Sequence, residues 1–280
     1  MDARTVSLGA YPHRVYTSAP AAPSCPPVLA LHGFGLDGIR SFRSVAALLR
    51  DDGVPLHAID LLGFGDSAAP NRVYSLDLYA SLIAEYAAAL DPRPILVGHS
   101  MGGKIATATA VLRPQSFAGY VLINPGGFSW MAPWLPPIAS HPWTNALLQQ
   151  PWIQRHVLPH APMGRFLAQP MTIEQALRLR DSHYALDLDA TGIRPQLPTI
   201  QQPVHVLWGM DDSLLPPSTL NRLRADLPQV RIERLPGAGH IPMWDQPDAV
   251  AESILRFLLR IQSTKKRDDR RTVTPLSSSN

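Results

Sequence analysis

Cysteine is almost missing from this chain: Cys25 is the only one in 280 residues. That excludes an internal disulfide framework and makes a reducing compartment the default. Long apolar runs are missing too, and no stretch approaches the roughly 20 residues that a membrane-spanning helix needs. Met1–Pro27 is rich in Pro and Ala without an apolar signal-peptide core, so a cytoplasmic location is the expectation. Metal-ligand spacing is absent: there is no H-E-x-x-H and no Cys/His pair, so neither metal nor other cofactor is expected. Charge is sparse, at 17% of residues against 45% hydrophobic, which excludes a wholly disordered chain and allows a large buried core.

Net positive charge is also absent from the body of the chain. From Ser263 onward stand Lys265, Lys266, Arg267, Arg270 and Arg271 against Asp268 and Asp269, and this tail accounts for the whole net charge of +3. The remainder is formally neutral, so nucleic acid is not an expected partner. The tail, 263–280, reads as a solvated, disordered basic terminus.

What is present is a rhythm. Short β-rich runs recur at Val28–Leu31, Leu56–Ile59, Ile95–Val97 and Tyr120–Ile123, each running into a loop. Between them, Ser41–Arg50, Ser75–Leu90 and Met101–Leu112 carry apolar residues at helical spacing. The rhythm returns with Val204–Trp208, a helix near Ser218–Leu227, Val230–Leu235 and a last helix from about Pro247 to Ile261, its proline suited to a first turn. Alternating β and α segments imply an α/β fold, a mostly parallel sheet with helices on both faces. The pattern divides the chain into a first core segment (1–125), an insertion (126–198), a second core segment (199–262) and the tail. The insertion has no clear strand but holds Trp130, Trp134, Trp143 and Trp152 and a helix start at Thr172 with Gln175 in capping-box position. So much large apolar surface is costly to leave in water, which favours a helical lid whose tryptophans pack within it.

The segment Pro94-Ile-Leu-Val-Gly-His-Ser-Met-Gly-Gly103 carries chemistry. A strand runs into Gly98-x-Ser100-x-Gly102 and a helix follows. A nucleophile elbow needs that arrangement: a strained turn lifts the serine Oγ above the strand ends, and the flanking glycines relieve crowding. The new helix aims free N–H groups and its positive dipole end at any developing oxyanion. A bare G-x-S-x-G arises by chance in roughly one such chain in ten, so its flanks and partners decide.

A hydroxyl needs a base, and the base needs an orienting acid. His240, in Pro236-Gly-Ala-Gly-His-Ile-Pro242, follows a strand in a glycine-rich loop from which an imidazole can reach the sheet edge. The best acid lies in Trp208-Gly-Met-Asp-Asp-Ser-Leu-Leu-Pro216, again just past a strand, at Asp211 or Asp212. The order Ser…Asp…His is that of the α/β-hydrolases. His32 and His99 flank the site and are read as loop organisers. Asp60-Leu-Leu-Gly-Phe-Gly lacks the third glycine of a dinucleotide fingerprint and is read as turn chemistry.

Five motifs in order, His32-Gly-Phe-Gly, Asp60-x-x-Gly-x-Gly-x-Ser67, Gly98-x-Ser-x-Gly-Gly, Gly209-x-x-Asp212-x-x-x-Pro216 and Gly239-His240-x-Pro242, span nearly the whole chain. On these the sequence resembles the α/β-hydrolase superfamily, in its lid-bearing branch of serine esterases, C–C-bond hydrolases and haloalkane-dehalogenase-like proteins. The resemblance implies an α/β-hydrolase fold and selects Asp212 as the acid. It implies an oxyanion hole from the backbone N–H groups of Phe34 and Met101. Dehalogenases and epoxide hydrolases of this branch carry aspartate at the elbow, where this chain has Ser100. The expected activity is hydrolysis of an ester-like bond of a small hydrophobic substrate, with Trp130 or Trp134 lining its pocket. A C–C hydrolase or perhydrolase using the same triad, or a non-catalytic ligand-binding protein on the same fold, are the alternative expectations. Oligomeric state, monomer or dimer, is left open.

Overall fold

The computed structural model describes residues 1–128, 143, 146–147, 150–157 and 182–272. Its centre is an eight-stranded sheet in the order β1-β2-β4-β3-β5-β6-β7-β8. The strands are β1 (Asp2–Leu8), β2 (Tyr11–Ser18), β3 (Val28–Leu31), β4 (Leu56–Ile59), β5 (Ile95–His99), β6 (Tyr120–Ile123), β7 (Val204–Gly209) and β8 (Arg231–Leu235). From β4 to β8 every neighbouring pair is parallel, while β1 and β2 add an antiparallel hairpin at one edge.

That hairpin has no counterpart in the sequence reading. β1 is exposed along most of its length and offers no buried apolar run. Its signal is the turn: Gly9 and Ala10 both have positive φ, +52° and +68°, the combination that matches strand twist in a two-residue hairpin loop.

The inner strands β3 to β6 are buried throughout, as a parallel sheet covered on both faces must be. Alternate residues divide between two cores. Leu29, Leu31, Leu96 and Leu122 pack with α2 (Leu76–Ala88) and α3 (Met101–Leu112). Val28, Ala30, Val97 and Val121 pack with α1 (Gly38–Asp51) and with the last helix. The caps are local and legible: Asp37 accepts from Arg40 N to start α1, and Ser75 from Leu78 N to start α2.

β6 and β7 lie side by side, although the stretch 126–198 separates them in sequence. Within that stretch the structure describes a short helix, α4 (Pro151–His156), and 3-10 turns at Tyr184–Leu186 and Arg194–Thr199. Trp130, Trp134 and the helix start at Thr172 lie outside the described residues. Trp143 and Trp152 are 66% and 65% exposed, against the expectation that the insertion buries its tryptophans. The helix carrying Trp152 is too short to offer a buried face. The return limb is better fixed: Leu188, Ile193 and Leu197 are buried, and Arg194 pairs with Asp189 and Asp226 and donates to the Gly127 carbonyl.

After β7 come α5 (Thr219–Asp226), α6 (Pro242–Asp245) and α7 (Pro247–Thr272). α7 runs on to Thr272, past the helix end expected near Ile261 and past residue 263, where the tail was expected to start. No Gly or Pro interrupts it after Pro247, and Lys and Arg are good helix formers. Residues 273–280 lie outside the described set. Among the described residues no helix is long and apolar enough to cross a membrane.

Candidate active site

β3, β5, β6, β7 and β8 all point their C-terminal ends the same way, and the loops leaving those ends meet at Ser100. β5 turns sharply there. Ser100 has φ +51° and α3 begins at the next residue. A non-glycine residue at positive φ costs about 1–3 kcal/mol and persists only when its surroundings over-determine it. Here they do: Ser100 N donates to Ile123 O at 3.0 Å, and Ser100 O accepts from Lys104 N at 3.0 Å and Gly126 N at 2.9 Å. The flanking glycines are steric necessities. A Cβ on Gly98 would run into Gly102 O, and one on Gly102 would meet the Leu31 and His32 carbonyl oxygens at 2.5 and 2.6 Å.

His240 arrives on the loop after β8. Its Nε2 is 3.0 Å from Ser100 Oγ and its Nδ1 is 2.8 Å from Asp212 Oδ2. A carboxylate only accepts, so Nδ1 carries the proton and Nε2 is left to accept from the serine hydroxyl. Asp212, just past β7, is 8% exposed, whereas Asp211 beside it is exposed and its backbone N–H holds Ala238 O. Asp212 Oδ1 accepts from Leu214 N and Leu215 N at 2.8 and 2.9 Å. Burial pushes the Asp212 carboxyl up. The hydrogen bond and charge of His240, the Leu215 N–H and the Asn124 amide outweigh that and hold it below the ordinary aspartate range.

Phe34 and Met101 frame the serine. Gly33 lies against the elbow, its Cβ position 3.2 Å from Ser100 Cβ, and Phe34 follows it. Among the described residues, neither the Phe34 nor the Met101 backbone N–H has a hydrogen-bond partner. Both are available to a ligand oxygen.

His32 and His99 hold loops. Leu61 N donates to His32 Nε2 at 3.0 Å, so the ring's proton is on Nδ1, which donates to Gly33 O at 2.7 Å. Burial pushes His32 down to about 4. His99 Nε2 faces the His240 carbonyl at 2.8 Å and is therefore the donor, and burial with the nearby His240 charge pushes this ring down to about 3. Asp60 serves turn geometry: its carboxylate accepts from Gly38 N at the start of α1 and from Asp66 N, at 2.7 and 2.8 Å. Among the described residues no cluster of His, Cys, Asp or Glu could hold a metal ion.

The sequence reading missed one participant. Asn124, directly after β6, is fully buried at φ +40° and its Nδ2 lies 2.5 Å from Asp212 Oδ2. The available signal was a polar residue ending a wholly buried strand at the edge that carries the other site residues.

The Alpha/beta hydrolase family model matches residues 28–253. A hydrolase of Bacillus subtilis, YugF, is 27% identical over 260 residues, covering 82% of this chain and 89% of the relative. A pimeloyl-acyl-carrier-protein methyl ester esterase of Edwardsiella ictaluri is 26% identical over 258 residues, covering 82% and 92%. Among solved structures, the esterase EaEST of Exiguobacterium antarcticum superposes with a TM-score of 0.73 at 18% identity, covering 92% of this chain and 99% of that one, a likeness of fold.

Proposed function

This chain belongs to the alpha/beta hydrolase family, and we propose that within it the protein is a serine hydrolase cleaving a carboxylic-ester-like bond of a small hydrophobic substrate. The observation that carries this reading is the unbroken hydrogen-bond chain from Ser100 Oγ through His240 to Asp212, at 3.0 and 2.8 Å. The Edwardsiella relative, a methyl ester esterase, supports the choice of an ester among acyl bonds.

The chemistry follows from who can accept a proton. As Ser100 Oγ attacks the ester carbon, its proton passes to His240 Nε2, and Asp212 stabilises the imidazolium. Negative charge moves onto the former carbonyl oxygen, which the Phe34 and Met101 N–H groups receive; such donors act where charge develops and need no reorganisation. The carbon–oxygen bond to the alcohol breaks, and the departing alkoxide takes the proton from His240. Water then gives a proton to His240, attacks the acyl carbon and releases the acid, and the proton returns to Ser100.

The test is turnover of a p-nitrophenyl ester series, acetate to long chains, by wild type and Ser100→Ala, with fluorophosphonate labelling alongside. Ester turnover and labelling that both vanish in Ser100→Ala support the reading. Full activity in Ser100→Ala, or a wild type that neither turns over esters nor takes the label, overturns it.

A further inference from the structure

Asp212 makes four hydrogen bonds, two on each oxygen. Three come from groups whose presence is unsurprising: two backbone N–H groups in its own loop, and His240. The fourth comes from a different strand. Asn124 Nδ2 lies 2.5 Å from Asp212 Oδ2, the same oxygen that receives the His240 proton. The orientation of that amide is fixed by its other end. Asn124 Oδ1 lies 2.9 Å from Gly209 N, a donor, so the oxygen must face Gly209 and the NH2 must face Asp212. The backbone is held as well, with Asn124 N donating to Leu207 O at 3.0 Å. Positive φ at this position suits asparagine better than most residues.

We propose that Asn124 is a positioning residue for the charge relay: its amide holds Asp212 ionised and aimed at His240 by clamping the end of β6 to the end of β7. This rests on the serine-hydrolase reading and adds to it a residue that touches neither substrate nor nucleophile. The physical case is saturation. A buried carboxylate is stable as an anion only when donors replace its lost water, and a carboxylate whose two oxygens each accept two hydrogen bonds is held against rotation away from the imidazole. Removing one charge-assisted donor weakens both effects at once.

The experiment measures the rate of fluorophosphonate labelling of Ser100 from pH 5 to 9, which reads the triad without needing the natural substrate. Asn124→Leu, with melting temperature followed in parallel, is expected to slow labelling roughly ten- to hundredfold, the factor one such hydrogen bond is worth. Asn124→Asp separates positioning from structure. It keeps the acceptor for Gly209 N–H and tolerates positive φ, but it sets a second carboxyl against Asp212. Carboxyls that close share a proton, and the pair titrates as a unit. At acid pH the shared proton stands in for the amide donor and labelling continues. As pH rises the proton is lost, the two charges repel, and labelling falls along an alkaline limb that wild type lacks. A purely structural Asn124 would lower the melting temperature of Asn124→Leu while the folded variant is labelled at the wild-type rate, and that result overturns the proposal. An Asn124→Asp profile with the wild-type shape overturns the proposal. If wild type is not labelled, or Ser100→Ala still is, the serine-hydrolase reading fails instead, and this inference with it.

Discussion

His99 and His240 are joined by one hydrogen bond, from His99 Nε2 to the backbone carbonyl of His240 at 2.8 Å, with their rings 5.0 Å apart. The residue before Ser100 therefore fixes the loop that carries His240. Because burial pushes His99 down to about 3, it remains a neutral donor across the working pH range. His99→Leu removes the donor and leaves a buried carbonyl unpaired, a cost of about 1–3 kcal/mol. Ester turnover is expected to drop about tenfold or more. His99→Gln can place an N–H at a similar reach and is expected to recover part of the loss. Equal kcat in the Leu variant and wild type would remove His99 from the positioning machinery.

The two neighbouring aspartates are expected to separate cleanly. Asp212→Asn should cost about three to four orders of magnitude in kcat, because the amide favours the wrong imidazole tautomer. Asp211→Asn, at an exposed side chain, should stay within about twofold, as exposed substitutions usually do. Steady-state kinetics of the two variants side by side decide this; similar losses in both would contradict the assignment of the acid.

Acid should destabilise the fold. Burial pushes His32 and His57 down to about 4 and His99 to about 3, below the 6.5 of a solvated imidazole. The unfolded chain then binds more protons between those values, so these histidines contribute stability that is complete above about pH 6.5 and lost as pH falls through 4 toward 3. Asp60, pushed up to about 6 chiefly by burial, runs the other way: its contribution is present near pH 4 and lost as pH rises through 6. Three histidines outweigh one carboxyl. The urea midpoint is expected to fall from pH 7 to pH 4, and more steeply between 6 and 4 in Asp60→Asn. A midpoint that is flat or rises on acidification would contradict the burial of these rings as neutral species.

Two glycine substitutions test steric fit against backbone conformation. Gly102→Ala drives a Cβ into two backbone carbonyls and should abolish turnover with a melting temperature lowered by many degrees. Gly35→Ala meets nothing within 4 Å and pays only for its φ of +70°, about 1 kcal/mol. Thermal melts of both compare them directly; similar shifts would mean that the elbow has room to relax.

Strands β3 to β7 and helices α1 to α3 were legible in sequence because each is a short apolar run or a clear helical period bounded by turn residues. The hairpin Asp2–Ser18 was not, since an exposed edge strand carries little apolar signal and its evidence is two backbone angles. The helical extension to Thr272 was hidden by charge, which reads as solvation whether the backbone is helical or not. The serine and the histidine could be named from their turns together with the flanking strand and helix patterns, because a strained elbow and a glycine-rich loop leave compositional traces. Asn124 left only its place, a polar residue at the end of a buried strand; its role depends on which atom of another strand its amide meets.

By itself the sequence determined the alternating α/β order, the glycines that crowding demands, and the chain order of Ser100, Asp212 and His240. These are local properties, set by backbone sterics and side-chain periodicity. Only the tertiary structure decided that His99 ties down the loop of His240 and that Asn124 gives Asp212 a fourth hydrogen bond. Those contacts join residues far apart in sequence, and their distances exist only once the parallel strands have packed and brought their C-terminal ends to one edge.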